Sequence, residues 1–452
     1  MDFKGVYVRK KGIDIHYRLN IQYPMAMAKR YDKLVMEPVF WGVIFCFFFG
    51  LAVLHIRGTS TTTGNPGMRI DVEMPDAGCP EFEIKLVSDT NFGKKIEWSD
   101  PFFFKPSSIS VLADGSFFAA FSNRHKIYKF DRSGDFSFEF GQKGLGPGDF
   151  NLPGNLSVLD GKYLVVNEYA TNRRISLFDL NGKFNKLIKT TYPVEDSIAL
   201  KDNKIAILSF NYTESTRRLS VYIRDIDSGQ EVAVLSTDDR MRKAGETDLL
   251  FMASDIQQRG FIHRTGIGNL LVGFSYNKII DIYSPDGKKV TSFKLKMDET
   301  PVTDEVISRY KDCVIKKIKK NFKNPEMFLK SFRASRGIKN LFSEYLPFYN
   351  SLLIDSEGNI LVFYFTFEPK GNYLEFQVYN AEGKYLCDSK LDFGDFKVIE
   401  NSPTLKNRIE FSGGRLYAIL DQEIDGDVCQ KIVKINLEKF NGGKNEENRK
   451  SL

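Results

Sequence analysis

The stretch Phe140–Val158 reads "FGQKGLGPGDFNLPGNLSV", with Gly141, Gly144, Gly146 and Gly148 packed into eight residues. Such a cluster is either a phosphate cradle or a turn between strands, and the two belong to different folds. A phosphate cradle follows a strand and opens a helix, so that the anion meets the helix's first amides and its dipole. Here the glycines run into Phe150, Pro153 and then "NLSVLDGKYLVV", alternating and β-branched residues broken by Asp160-Gly161. That is strand, tight turn, strand. No Lys-Ser or Lys-Thr follows the glycines. The stretch is read as a turn between sheets, with glycine where φ must be positive.

Two turns recur outward from it. An aromatic residue, three mostly polar residues and a glycine appear as "FDRSG" ending at Gly134, "FDLNG" at Gly182, "YSPDG" at Gly287 and "YNAEG" at Gly383. A looser copy, "IRDIDSG", ends at Gly229, and "KIVKINLEKF" (431–440) is a sixth counterpart without the glycine. The steps between these glycines are 48, 47, 58 and 96 residues. Upstream of each lies a second turn: Asp114-Gly115, Asp160-Gly161, Asp202-Asn203, Gly268-Asn269, Glu357-Gly358 and Gly413-Gly414. Six copies, a period near 45 residues and about four short strands per copy are the pattern of β-propeller blades. The expected fold is all-β: a six-bladed propeller over 81–442, with "EFEIKLV" (81–87) adding a strand to the last blade and latching the ring. An aromatic content of 13%, with 39 Phe, suits a large strand-built core.

The 96-residue step is one blade plus an insertion, 301–345, because Ile307, Tyr310, Val314, Ile318 and Phe322 fall at helical spacing. From Arg309 to Lys339 the insertion carries eleven basic residues against Asp312 and Glu326, a net +9 in a chain whose total is +6. If the apolar stripe docks on the ring, Lys316, Lys317, Lys319, Lys320 and Lys323 form an outward face suited to an acidic partner.

At the N-terminus, "VFWGVIFCFFFGLAVL" (39–54) holds no charge and is preceded by eight Lys and Arg against four Asp and Glu. This is near the lower limit for a spanning helix. The basic flank puts residues 1–38 on the cytoplasmic side and everything after Ile56 outside. A cleaved signal after a later start at Met25, Met27 or Met36 is the rival reading, and either way the bulk of the chain is exported. The expected organisation is a stub and transmembrane or signal-anchor segment (1–57), a polar linker (58–80), the ring (81–442) and a charged tail (443–452). Of five cysteines, Cys79, Cys313, Cys387 and Cys429 follow the apolar segment, an even number that permits two disulfides.

With the repeat in place, the opening stretch resembles the NHL-repeat family of propellers. Gly146-Pro147-Gly148-Asp149-Phe150 and Pro153 are similar to that family's inter-blade turn, and "NRRISLFD" (172–179) to its Asn-x-Arg-Ile…Phe-Asp segment. The resemblance is strong over 104–185 and repeat-level elsewhere. The exported part as a whole looks like six-bladed propellers of bacterial envelopes. The resemblance implies the fold, hydrogen bonds from Arg174 and Asp179 within or between blades, and a binding role.

Catalytic constellations are sparse. Of four histidines only His125 and His263 fall in the ring, too few for the histidine-bound metal of NHL-like lyases or for a convincing Ser/His/Asp set. Lactonase-type propellers hold a Ca²⁺-like ion through oxygens, for which Asn167, Glu168, Asn172 and Asp202 are the candidates. Loops between second and third strands bring Arg124, Tyr169, Arg173, Tyr212, Arg217, Arg218, Tyr276 and Asn277 to one mouth of the ring. Basic and aromatic residues there suit an anionic or sugar-like ligand. The leading expectation is a non-enzymatic binding or scaffold module without a cofactor, its partner an envelope protein or anionic polysaccharide rather than nucleic acid. The alternative is a cation-dependent hydrolase of lactonase type with its site in the central channel.

Overall fold

The structure is a computed structural model. It describes residues 7–10, 13–16, 83–85, 89–96, 105–168, 173–212, 216–240, 256–321, 325–334, 342–367, 373–393, 408–424 and 427–436. The chain divides into two units, Met1–Pro75 and Asp76–Leu452. The first contributes an antiparallel hairpin, Tyr7–Lys10 with Ile13–His16. The apolar segment 39–54, the linker 58–80 and the tail 443–452 lie outside the described residues. Among the described residues no helix is long and apolar enough to cross a membrane.

The second unit is an all-β propeller of six antiparallel blades, each ordered in chain sequence from its inner strand outward. The inner strands are Ser108–Val111, Pro153–Leu159, Val194–Ala199, Gly260–Arg264, Tyr349–Ile354 and Ile409–Ser412. The second strands read as near-continuous apolar runs, "FFAAF" at Phe117–Phe121 being typical, because both faces of that strand are covered. Alternate residues of such a strand serve different neighbours. Phe118 and Ala120 pack with Phe150, Leu164 and Phe178 of the second blade. Phe117, Ala119 and Phe121 pack instead with Tyr417, Ile419 and Ile432 of the sixth. Six such clusters fill the six interfaces, so no blade has a core of its own.

Each expected inner hairpin is present. Asp160 and Gly161 stand at φ 49° and 64°, and Gly413 and Gly414 at 58° and 73°. Paired positive φ values are what two-residue hairpins require. The aromatic-to-glycine turns are locked by their acid: Asp179 Oδ1 accepts from Asn181 N at 2.9 Å and Lys183 N at 2.8 Å.

The latch is placed differently from the expectation. Glu83–Lys85 pairs in parallel with Lys390–Asp392, the outer strand of blade 5, not with the last blade. Among the described residues blade 6 has three strands, and Asp89–Ile96 joins it to blade 1. Asp89 N donates to the Lys434 carbonyl at 2.9 Å, its carboxylate meets Lys434 Nζ at 3.1 Å, and Gly93 N donates to the Ser133 carbonyl at 2.7 Å. Phe92 and Ile96 enter the core between blades 6 and 1. Alternation identifies a strand, but every outer strand offers a similar row of unpaired backbone groups, so the edge chosen is a tertiary matter.

The described residues of the insertion form two helices, α1 (Asp304–Asn321) and α2 (Pro325–Ala334). Asp304 and Glu305 sit in the first turn of α1, where the helix dipole favours them, and Pro325 opens α2, where no amide is missed. The neck closes as a β-bridge: Val302 N donates to the Glu344 carbonyl and Leu346 N to the Thr300 carbonyl, both at 2.9 Å. Cys313 in α1 and Cys387 in blade 5 are buried thiols not joined in a disulfide. Cys46 and Cys79 lie outside the described residues, as does the side chain of Cys429.

Candidate functional site

The glycine stretch carries structure rather than a ligand. Arg174, on the third strand of blade 2, reaches back into it. Its guanidinium donates to the carbonyls of Leu145 at 2.7 Å, Asp149 at 3.1 Å and Gly144 at 3.2 Å. Its Nε bonds Glu168, whose other oxygen accepts from Asn151 N at 2.8 Å. Asp149 in turn accepts from Gly146 N at 3.2 Å. The turn therefore points carbonyls at a cation, the opposite of a phosphate cradle.

Of the eight expected ligand residues, Arg124, Arg173, Tyr276 and Asn277 belong to connections between second and third strands, which the up-and-down blades bring to one face. Tyr212 ends the second strand of blade 3, and Arg217 and Arg218 lie at the start of its third. Their described side chains make separate contacts. Arg217 is turned inward, ion-paired with Glu195 at 2.8 Å and donating to the Gln258 carbonyl at 3.1 Å. Arg173 donates to the Thr191 carbonyl at 3.1 Å. Tyr276 donates to the Ile256 carbonyl at 2.7 Å and its ring lies 6.2 Å from that of Tyr345. Asn277 is exposed, its Oδ1 accepting from Ile279 N at 2.9 Å within its own turn. Arg124 and Arg218 are exposed. Tyr169 lies outside the described residues, and so does the side chain of Tyr212.

The helical insertion stands over this same face. Ile307, Tyr310, Val314 and Ile318 are buried together with Leu329 and Phe332 of α2 and with Ile256, while Phe365 and Phe367 of a blade 5 loop flank them. Arg309 caps the Phe367 ring at 5.9 Å. Lys316 and Lys319 are exposed on α1. Lys317 and Lys320 are on α1 by backbone, their side chains outside the described residues, as are Phe322 and Lys323.

Of the oxygens considered for a cation, Glu168 is committed to Arg174 and Asn151, and Asp202 sits at a hairpin tip with φ 58°. Asn167 is fully buried and donates weakly to the Glu195 carbonyl at 3.5 Å, and Asn172 is outside the described residues. Among the described residues no three His, Cys, Asp or Glu converge as a metal group.

The opposite end of the channel is a cavity of about 590 Å³ walled by the inner strands of all six blades and opening among their first hairpins. Side chains tie these strands together across blades: Glu410 accepts from Val111 N at 3.0 Å, Ser108 Oγ from Leu156 N at 3.3 Å, and Ser157 Oγ from Ala199 N at 2.8 Å. Asn155 Nδ2 donates to Asp196 at 2.5 Å deep in the wall. Burial pushes the Glu410 carboxyl up to about 8, against the lowering effects of the Val111 amide and Arg264. Sequence reasoning passed over Glu410 and Arg264. Both sit at or near the end of an inner strand before a hairpin, and that shared register position was the available signal.

Glu410 gives a testable pH dependence. The folded chain keeps its proton to about pH 8 while the unfolded chain releases it near 4.5. The group's contribution to stability is complete below pH 4.5 and is lost as pH rises through 8. A fully buried carboxyl so shifted would lose about 5 kcal/mol. Glu410 is only half-buried, so Glu410→Gln is expected to exceed the wild type by about 2 kcal/mol at pH 9 and to match it at pH 4.5. Urea titrations at the two pH values read the difference directly.

No protein-family model matches the chain. A stretch of 107 residues is 27% identical to the protein brain tumor of Drosophila melanogaster, covering 24% of this chain and 10% of that protein. The match thus spans about a tenth of the relative's length. Among solved structures, the chain is similar to a candidate exported protein of Bacteroides fragilis, with 13% identity, 79% of this chain and 99% of that chain covered, and a TM-score of 0.45. It is also similar to a member of the DUF4221 family from Bacteroides vulgatus, with 14% identity, 78% and 99% covered, and a TM-score of 0.44. Regucalcin of Agrobacterium tumefaciens, a calcium-binding protein, is similar at 8% identity, with 78% and 95% covered and a TM-score of 0.40.

Proposed function

We propose that the chain is an exported, membrane-anchored propeller of the NHL-repeat kind, and that it acts as a binding or scaffold module rather than an enzyme. Its partner surface is the face carrying the loops between second and third strands and the basic insertion. One observation supports this reading: in a segment of net +9 held on a closed neck, the apolar stripe of α1 is docked while Arg309, Lys316, Lys319 and Lys330 are exposed. Evolving a rigid basic platform on a ring that closes without it suits an acidic partner, an envelope protein or an anionic polysaccharide. Export and anchoring are supported by the uncharged segment 39–54 and its basic flank.

Replacing residues 304–343 with a short Gly-Ser loop tests the reading, since the bridge at Pro301 and Tyr345 leaves the ends together. The variant is expected to keep the strand-rich circular dichroism of the ring and to lose retention on an anionic polysaccharide column. It is also expected to lose recovery of cross-linked envelope partners. Retention and recovery unchanged from the wild type would remove the insertion as the partner surface.

A further inference from the structure

The repeat fixes what each position of a third strand meets, and one position breaks the pattern. Lys129 stands two residues before Asp131, which opens the aromatic-to-glycine turn of blade 1. The same position holds Leu177, Ile223, Ile282 and Val378 in blades 2 to 5, all buried at 1–5% exposure. Each of those four packs into the apolar cluster between its own blade and the next. In blade 6 the counterpart is Lys434, whose ammonium is ion-paired with Asp89 at 3.1 Å and lies 4.9 Å from the Phe92 ring.

Lys129 has no such acid. It lies on the third strand of blade 1 (Lys126–Phe130), opposite Phe118 on one side and Phe138 on the other. Its ammonium sits 4.0 Å from the centre of the Phe118 ring, and Phe118 is fully buried in the interface with blade 2. Lys129 makes no ion pair or hydrogen bond among the described residues. Asp114 is the charge whose field reaches it, and that carboxylate is held by Ser116, through N at 2.9 Å and Oγ at 2.6 Å. A charged amine at an apolar position loses hydration that a neutral amine does not need. Burial accordingly pushes the Lys129 ammonium down to about 8, against the raising effect of Asp114. The side chain is half-buried, so small molecules still reach its amine from the flank of the ring.

We propose that Lys129 is a nucleophilic amine that takes small uncharged aldehydes or ketones as imines at the seam of blades 1 and 2. A desolvated lysine without an acid partner is an established route to an attacking amine near neutral pH. The nitrogen lone pair forms a bond to the carbonyl carbon, and the carbonyl oxygen departs as water with both amine hydrogens. The product is a neutral imine. The seam favours it over the ammonium for the same reason that Leu, Ile or Val stands at this position in four other blades. An anionic carbonyl compound is disfavoured, because it would bring its charge toward the negative face of the Phe118 ring. Neither the insertion nor the loops of the proposed partner surface take part.

The test is reductive trapping: the purified full chain is incubated with propanal and cyanoborohydride, and propylated lysines are followed by peptide mass spectrometry. At pH about 7.5 roughly a quarter of the Lys129 amine is neutral, against about a thousandth for an unshifted lysine. A less basic amine is a weaker nucleophile, which takes back part of that advantage. Lys129 is expected to be alkylated at least tenfold faster than the exposed Lys162 and than the ion-paired Lys434. Its rate should level off above about pH 8. With pyruvate in place of propanal, its lead over Lys162 should fall at least fivefold. Lys129→Leu restores the residue type of the other blades, so it should unfold at or above the wild-type temperature and lose the fast phase of labelling. Lys129 labelled no faster than Lys162 or Lys434, or a rate that climbs through pH 10 without levelling, would overturn the assignment. So would an equal lead with pyruvate, or a fast phase that survives in Lys129→Leu.

Discussion

Arg174→Ala is expected to destabilise the propeller by about 3–5 kcal/mol, the range for breaking one side of a buried ion pair. Glu168 is fully buried and would lose the guanidinium it is paired with. The carbonyls of Gly144, Leu145 and Asp149 would lose their common donor at the same time. Because those carbonyls shape the connection from blade 1 to blade 2, the loss should spread to the interface filled by Phe118, Phe150 and Phe178. Thermal unfolding followed by circular dichroism reads the drop. The double variant Arg174→Met with Glu168→Gln separates charge from shape: it removes the orphaned carboxylate and should recover part of the loss. Equal losses in the single and double variants would mean that the carbonyl bonds, not the ion pair, hold the turn.

Gly141→Ala has the second largest expected effect, about 3 kcal/mol. Gly141 stands at φ 86°, a conformation that disfavours any L side chain by about 1 kcal/mol. Its new Cβ would also lie 2.3 Å from the ring of Phe150, which is fully buried between Phe140 and Phe178. The ring has no room to retreat, and such overpacking adds about 1–3 kcal/mol. Gly161→Ala is the control: its φ is also positive, at 64°, but nothing lies within 4 Å of its Cβ position. The control should lose about 1 kcal/mol only. A Gly141 variant no worse than the control would show that the ring can shift.

The two glycines illustrate how much local sequence says. Both are legible as turn residues, and the recurrence of turns like Asp160-Gly161 and "FDLNG" sets the blade count. The helical spacing of Ile307, Tyr310, Val314 and Ile318 marked the insertion for the same reason: period is a property of neighbours in sequence. The site was less legible. Arg217, expected at a mouth loop, lies on the third strand of blade 3 and bonds Glu195, a residue 22 positions away on another strand. Glu410 and Arg264 were passed over because nothing within a few residues of either distinguishes them from ordinary strand positions.

What the sequence by itself determined is the repeat: six blades, their hairpins, the glycine turn between blades 1 and 2, and a basic helical insertion. These rest on φ preferences and side-chain alternation, which act over two to five residues and need no partner elsewhere. Tertiary contacts alone place Glu83–Lys85 on blade 5 and seat Phe92 and Ile96 between blades 6 and 1. Each of these depends on residues tens to hundreds of positions apart meeting at one point. Pairing energies at such contacts are set by which groups remain unsatisfied once the ring has closed, and local pattern carries no record of that.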